Sequence, residues 1–268
     1  MKKICSTIIL TLLVLTCHAQ ITQVNTMQEV FEYFNDADAK TLAIFDVDLV
    51  LVQPSDPAFQ MANILRFSTV AKRILKSLSP EKQMMFYSLT TIDSEPILTE
   101  ECIPRLFKQL MDKRIPTMAL TANLTGTLGQ ISNMLQWRIS SLCSLGIDFA
   151  KSAPYHAPLT FNDLACFRGN NSQYMNGVFC VNGTVVSKGE AFLAFIDKTK
   201  LSPEKVIFID DRKENLISVE TALQKLDKRI EFYGLHYTGA QKYPSKMISE
   251  EEFEVSWEKL AMEALKLE

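Results

Sequence analysis

Histidine is scarce in this sequence of 268 residues: there are three, beside two tryptophans, six cysteines, nine glycines and ten prolines. So few histidines exclude a His-rich metal site and leave most Ser/His/Asp schemes little to work with. Glycine and proline form no tract, which rules out collagen-like and low-complexity readings, and no short repeat period is present. No basic run supplies the stripe that neutralises nucleic-acid phosphates, so no nucleic-acid partner is expected. The cysteines show no C-x-x-C spacing, which argues against zinc. Also missing are the glycine-rich dinucleotide fingerprint, the P-loop, the G-x-S-x-G elbow and H-E-x-x-H.

What is present describes an ordinary globular chain, 47% hydrophobic and 22% charged, long enough for one large domain with insertions. The first nineteen residues read as a signal peptide. Lys2 and Lys3 form a positive start, Ile4 to Cys17 is apolar, and Ala19 offers a small residue before a cut at Gln20. That run is shorter than a membrane span, so an exported protein, periplasmic or secreted, is expected. A lipid-bearing Cys17 is the alternative. Without the two leader lysines the formal charge moves from −3 to −5. In an oxidising compartment a bridge between Cys166 and Cys180 is conceivable; four buried free thiols are the other reading.

Three short apolar runs, Thr41–Phe45, Pro116–Leu120 and Lys205–Ile209, read as buried parallel strands because helical patterns alternate with them. The expected fold class is therefore α/β, a parallel sheet with helices on both faces. Helical patterns cover 58–78, a second helix opened by Ser79-Pro80, then 100–113, 123–145, 190–198, 215–226 and 250–265. The 250–265 helix is expected to pack on the outside. Short strands are expected at 147–150 and 230–235, and a hairpin around Asn182-Gly183 within 178–186. Residues 54–96 exceed a simple crossover and read as a small helical insertion after the first strand; residues 151–175 carry no clear pattern.

With histidine nearly absent, carboxylates must carry any reaction. The first strand ends on Asp46 and Asp48, the third on Asp210 and Asp211 with Asn215 close behind, and in open α/β sheets ligands bind at the carboxyl ends of the strands. Acidic groups converging there repel one another unless a hard cation sits among them, and oxygen ligands favour Mg²⁺. Thr121 ends the second strand and offers a hydroxyl, with Ala122 and Asn123 in the same turn. Lys188 stands before a helix, where anions are favoured. Each group has a plain alternative: strand-end turn residues for the aspartates, a helix cap for Thr121, a solvated charge for Lys188. His236 reads as an ordinary strand-end residue, and Met61, Met84 and Met85 as packing.

The order Asp46-x-Asp48, Thr121, Lys188, Asp210-Asp211-x-x-x-Asn215 resembles the haloacid-dehalogenase-like (HAD) phosphohydrolase superfamily, over roughly residues 40–235. The resemblance implies that Asp46 attacks phosphorus while Asp48 protonates the leaving oxygen and then activates water. It implies that Thr121, Ala122, Asn123 and Lys188 hold the phosphoryl group, and that Mg²⁺ is bound by Asp46, Asp48 through its carbonyl, Asp211 and Asp210, with Asn215 in support. The insertion at 54–96 would be the cap, and a small phosphate monoester the substrate. Val50 stands where that family most often has Thr. The leader and the short insertion resemble a secreted bacterial branch known only as a domain of unknown function. A two-component receiver uses similar groups, but its acidic pair precedes the phosphorylated Asp. The competing expectation is an exported binding protein that kept the fold and lost turnover.

Overall fold

The computed structural model describes residues 20–227, 229–242 and 246–267; the expected leader lies outside them. The chain opens with strand β1 (Gln20–Val24) and helix α1 (Met27–Glu32), then β2 (Thr41–Phe45). A two-stranded ribbon, β3 (Val52–Pro54) and β4 (Pro96–Leu98), brackets α2 (Met61–Arg66), α3 (Ser68–Lys76) and α4 (Pro80–Ile92). After it come α5 (Ile103–Asp112), β5 (Thr117–Thr121), α6 (Met134–Ser144) and the strands β6 (Leu159–Phe161), β7 (Ser172–Met175) and β8 (Val178–Cys180). The last part is α7 (Lys188–Thr199), β9 (Lys205–Asp210), α8 (Lys213–Leu226), β10 (Glu231–Tyr237) and α9 (Glu250–Lys266).

The described strands include an eight-stranded sheet in the order β1-β10-β9-β2-β5-β8-β7-β6. Its pairs are parallel from β1 through β8 and antiparallel only at β8/β7 and β7/β6. The fold is thus mixed α/β with a mostly parallel central sheet. Alternation along the strands explains the two covered faces. Ala43, Phe45, Ile207 and Ile209 point to one face, where α1, α5 and α6 pack. Leu42, Ile44, Val206 and Phe208 point to the other, covered by α7 and α8.

Several expected elements fall elsewhere. The pattern over 58–78 is two helices, broken at Phe67, which adopts φ −107° and ψ 33°. The helix expected from 123 begins only at Met134: Gly126 and Gly129 take positive φ (78° and 56°), and the Asn133 side chain caps the helix by accepting from Gln136 N–H at 3.0 Å. The strand expected at 147–150 is instead a 3-10 turn, Phe149–Lys151, capped by Asp148. The hairpin turns at Asn176-Gly177, with φ 50° and 79° as a type I′ turn requires, while Asn182-Gly183 docks on the loop after β5, donating N–H to the carbonyls of Asn123 and Ala122.

α9 packs on the outside as a charged amphipathic helix, and its apolar face, Phe253, Trp257, Leu260, Ala261 and Ala264, is buried in a cluster with residues of α3 and α4. Trp257 packs on Phe59, Phe86 and Phe253 and donates Nε1–H to the carbonyl of Ala58 at 2.8 Å. An amphipathic helix needs an apolar partner, and the small helical segment exposes the apolar surface that serves. Burying one such aromatic contributes about 2–3 kcal/mol. The four cysteines in the described residues are free; Cys166 is exposed, Cys180 buried. No described helix is long and apolar enough to cross a membrane.

Candidate active site at the carboxyl edge of the sheet

Register places the polar residues. Phe45 of β2 stands opposite Ile209 of β9 on one side and Ala119 of β5 on the other. Asp46, Asp210 and Thr121 therefore leave the sheet on the same edge. Beyond Asp46 the chain turns sharply: Leu51 N–H donates to the Val47 carbonyl at 2.9 Å, and Leu49 takes φ 64°. A leucine in that left-handed region costs about 1–2 kcal/mol, so surrounding contacts must hold the turn.

Lys188 is the first residue of α7, fixed by a capping box between Ser187 and Glu190. Its neighbour Gly189 lets α7 approach α8, for a Cβ there would lie 2.4 Å from the Ser218 carbonyl oxygen. The Lys188 ammonium is buried and donates to Asp46 Oδ1 at 2.8 Å and to Asp210 Oδ2 at 2.6 Å. Asp46 Oδ1 also accepts from Val47 N–H at 2.8 Å, and among the described residues its second oxygen has no hydrogen-bond partner. Asp210 is saturated: Asn215 Nδ2 reaches both its oxygens, at 2.9 and 3.1 Å, and Arg212 N–H donates to Oδ1 at 2.9 Å. Asp211 makes no side-chain hydrogen bond among the described residues. Its backbone carbonyl accepts from His236 at 3.0 Å, so Nε2 carries the ring proton there.

Asp46, Asp210 and Asp211 bring ligand oxygens within 4.8 Å of one another. Burial pushes the Asp46 carboxyl up to about 7; Lys188 pulls it down, and the Asp210 and Asp48 charges push with burial. Asp211 stands well above its ordinary value, first through burial and then through the charges of Asp46 and Asp210. Burial works to lower Lys188, but Asp210 and Asp46 outweigh it and keep the ammonium charged. Three carboxylates beside one ammonium leave negative charge in excess. An all-oxygen donor set of this kind suits a hard divalent cation.

Asp48 has partners of its own. Its Oδ2 accepts from Asn123 Nδ2 at 2.7 Å, and Arg138 Nη2 donates to Oδ1 at 3.0 Å and Oδ2 at 3.3 Å. The Asn123 amide is therefore spent on Asp48. Thr121 is buried, and its Oγ1 accepts from Asn123 N–H at 3.3 Å. Ala122 meets Gly183 so closely that a Cβ on that glycine would come within 2.5 Å of the alanine Cβ.

Two contributors escape the sequence reading. Arg138 lies on the same face of α6 as Leu135, Ile139 and Leu142, and a charge inside an apolar stripe was the available signal. The other is Tyr87 of α4, about half exposed, whose phenol is pushed up by burial and drawn back by the charge of Arg212.

This chain is 22% identical over 241 residues to an uncharacterized protein of Rickettsia conorii, covering 86% of this chain and 81% of the relative. A relative from Rickettsia bellii is 23% identical over 239 residues, 86% of this chain and 81% of its own length. One from Rickettsia felis is 28% identical over 150 residues, covering 56% of this chain; there the match spans about half the relative, 50%. No solved structure matches the chain. The family described as "Protein of unknown function (DUF2608)" matches residues 23–268, and the chain belongs to that family.

Proposed function

We propose that the protein is a Mg²⁺-dependent phosphatase of the HAD-like class that hydrolyses small phosphate monoesters through a phosphorylated aspartate. One observation carries this reading: Asp46, Lys188, Asp210 and Asp211, up to 165 positions apart, meet within a few ångströms at the carboxyl edge of a parallel sheet.

The unpaired oxygen of Asp46 attacks phosphorus, and the bond from phosphorus to the ester oxygen breaks as Asp48 gives that oxygen a proton. Water then attacks the aspartyl-phosphate, Asp48 takes the water's proton, and free Asp46 and inorganic phosphate remain. Lys188 and Thr121 hold the phosphoryl oxygens, with Ala122 and Asn123 shaping the turn beneath them. Asp46, Asp211 and the Asp48 carbonyl would hold Mg²⁺, with Asp210 and Asn215 behind them. Bound there, the ion offsets the carboxylate charge and polarises the phosphoryl group. Val50, where HAD-like phosphohydrolases most often have Thr, is fully buried, an apolar contact in place of a polar one.

The helical segment 54–96, closed by the β3/β4 ribbon at Pro54 opposite Pro96 and completed by α9, acts as the cap and restricts the site to small esters. Export by the leader and action in the periplasm or beyond belong to the same proposal. The second reading, a binding protein without turnover, draws on the engagement of Asp48 by Arg138 and Asn123. Purified protein with p-nitrophenyl phosphate and Mg²⁺ decides between them. Steady release, stopped by EDTA and cut by about 1,000-fold or more in Asp46→Asn, is the expected result for a lost nucleophile. No release across a panel of phosphorylated metabolites overturns it.

A further inference from the structure

The Arg138 side chain is 1% exposed, while its ionic partner Asp48 is 31% exposed. Among the described residues only Nη2 of the guanidinium is used; Nε and Nη1 are buried without a hydrogen-bond partner there. The Trp137 ring lies 5.2 Å from its guanidinium carbon, and its charge reaches the thiol of Cys180, the last residue of β8. A buried cation with two empty donors is a poor device for stability, since an apolar side chain of similar volume does as well or better. What the arrangement does provide is orientation. Both oxygens of one carboxylate are gripped by a side chain that packing holds in place, and Asn123 grips Oδ2 from a second direction.

We propose that Arg138 is a positioning residue: it fixes the Asp48 carboxylate at the point where a proton passes to the departing ester oxygen, and so sets the enzyme's reach toward alkyl phosphates. The inference rests on the phosphatase reading. Its chemistry makes a specific demand. An alkoxide leaves poorly unless it is protonated as the bond to phosphorus breaks, whereas p-nitrophenolate leaves as a stable anion with little help. A misplaced Asp48 therefore penalises alkyl esters and spares the aryl ester. A merely structural arginine would, when lost, weaken both alike.

The test compares kcat/KM, which covers the steps up to departure of the leaving group, for β-glycerophosphate and p-nitrophenyl phosphate. Arg138→Lys keeps the charge and loses the two-oxygen grip. It is expected to lower kcat/KM for β-glycerophosphate on the order of 100-fold, the low end of what a positioned proton donor contributes. The p-nitrophenyl phosphate value should stay within about 3-fold of wild type. In an Asp48→Asn background the same change should add nothing on β-glycerophosphate, because the group being positioned is gone. Asn123→Ala, which removes the second grip without touching the arginine, should show the same bias toward the aryl ester even if Arg138→Lys does not fold.

Equal losses on both esters, or no bias in Asn123→Ala, overturn the inference and leave the phosphatase reading standing. Wild-type protein inert toward both esters removes that reading, and the inference with it.

Discussion

Two buried cations flank the same short turn, and they are treated in opposite ways. Lys188 donates to two carboxylates that are themselves buried, Asp46 and Asp210, 9% and 0% exposed, and its Nζ lies 5.5 Å from the centroid of the Phe208 ring. Among the described residues Arg138 has a single carboxylate partner, partly open to water, and two donors left over. The Asp46 side of the turn is built for charge balance; the Asp48 side is built for aim. Removing the cation from each side should therefore have very different consequences for stability.

Lys188→Met is the largest of these effects. It strands Asp46 and Asp210 in a dry site already crowded by Asp211, and uncompensated buried charges of this kind cost about 3–5 kcal/mol. Urea unfolding of the metal-free protein should show a matching fall in midpoint at unchanged slope. A loss under about 1 kcal/mol would mean that the pair is not what holds the edge together.

Arg138→Met should do far less to the fold. Asp48 can turn to solvent, two unsatisfied donors disappear, and a methionine fills much of the space, so the change in unfolding free energy should lie within about 1 kcal/mol of zero or on the stabilising side. The comparison breaks if this variant is destabilised as much as Lys188→Met. That result would make Arg138 a second pillar of charge balance and not a means of aim.

The same contrast shows how far the sequence could be read. Asp46, Asp210 and Asp211 were legible because the buried strands announce themselves as unbroken apolar runs, and the polar residues that stop those runs must stand at the sheet edge; Lys188 was legible from its place at the start of a helix, where anions are favoured. The ends of the helical segment carry a local signal as well: Pro54 ends β3 and Pro96 opens β4, positions in a strand that proline tolerates. Arg138 was not singled out, because helical periodicity names the face a residue occupies and not the residue it meets from 90 positions away. Asn176-Gly177 and Asn182-Gly183 carry the same turn signal, and only the docking of the second against the loop after β5 separates them. β1, with the mixed pattern Gln-Ile-Thr-Gln-Val, is an edge strand specified by its pairing with β10 more than by its own residues. The partner of α9 was likewise set by which apolar surface stayed uncovered.

The smallest effect belongs to the carboxylate that neither cation holds. Asp211 makes no side-chain hydrogen bond among the described residues, and burial together with the charges of Asp46 and Asp210 raises its carboxyl well above the ordinary value, so its ionised form weighs against the metal-free fold. Asp211→Asn removes that repulsion at nearly constant volume. In EDTA at pH 8 the variant should melt about 2–4 °C above wild type, the shift that roughly 1 kcal/mol produces in a chain of this size. With Mg²⁺ the order should reverse. Wild type gains stability with rising ion concentration as any protein does with a ligand of its native state, and the variant, lacking a ligand oxygen of full charge, gains little. A variant less stable than wild type in EDTA would show that Asp211 is tied into the fold after all, and that the excess negative charge at this edge is no sign of a cation.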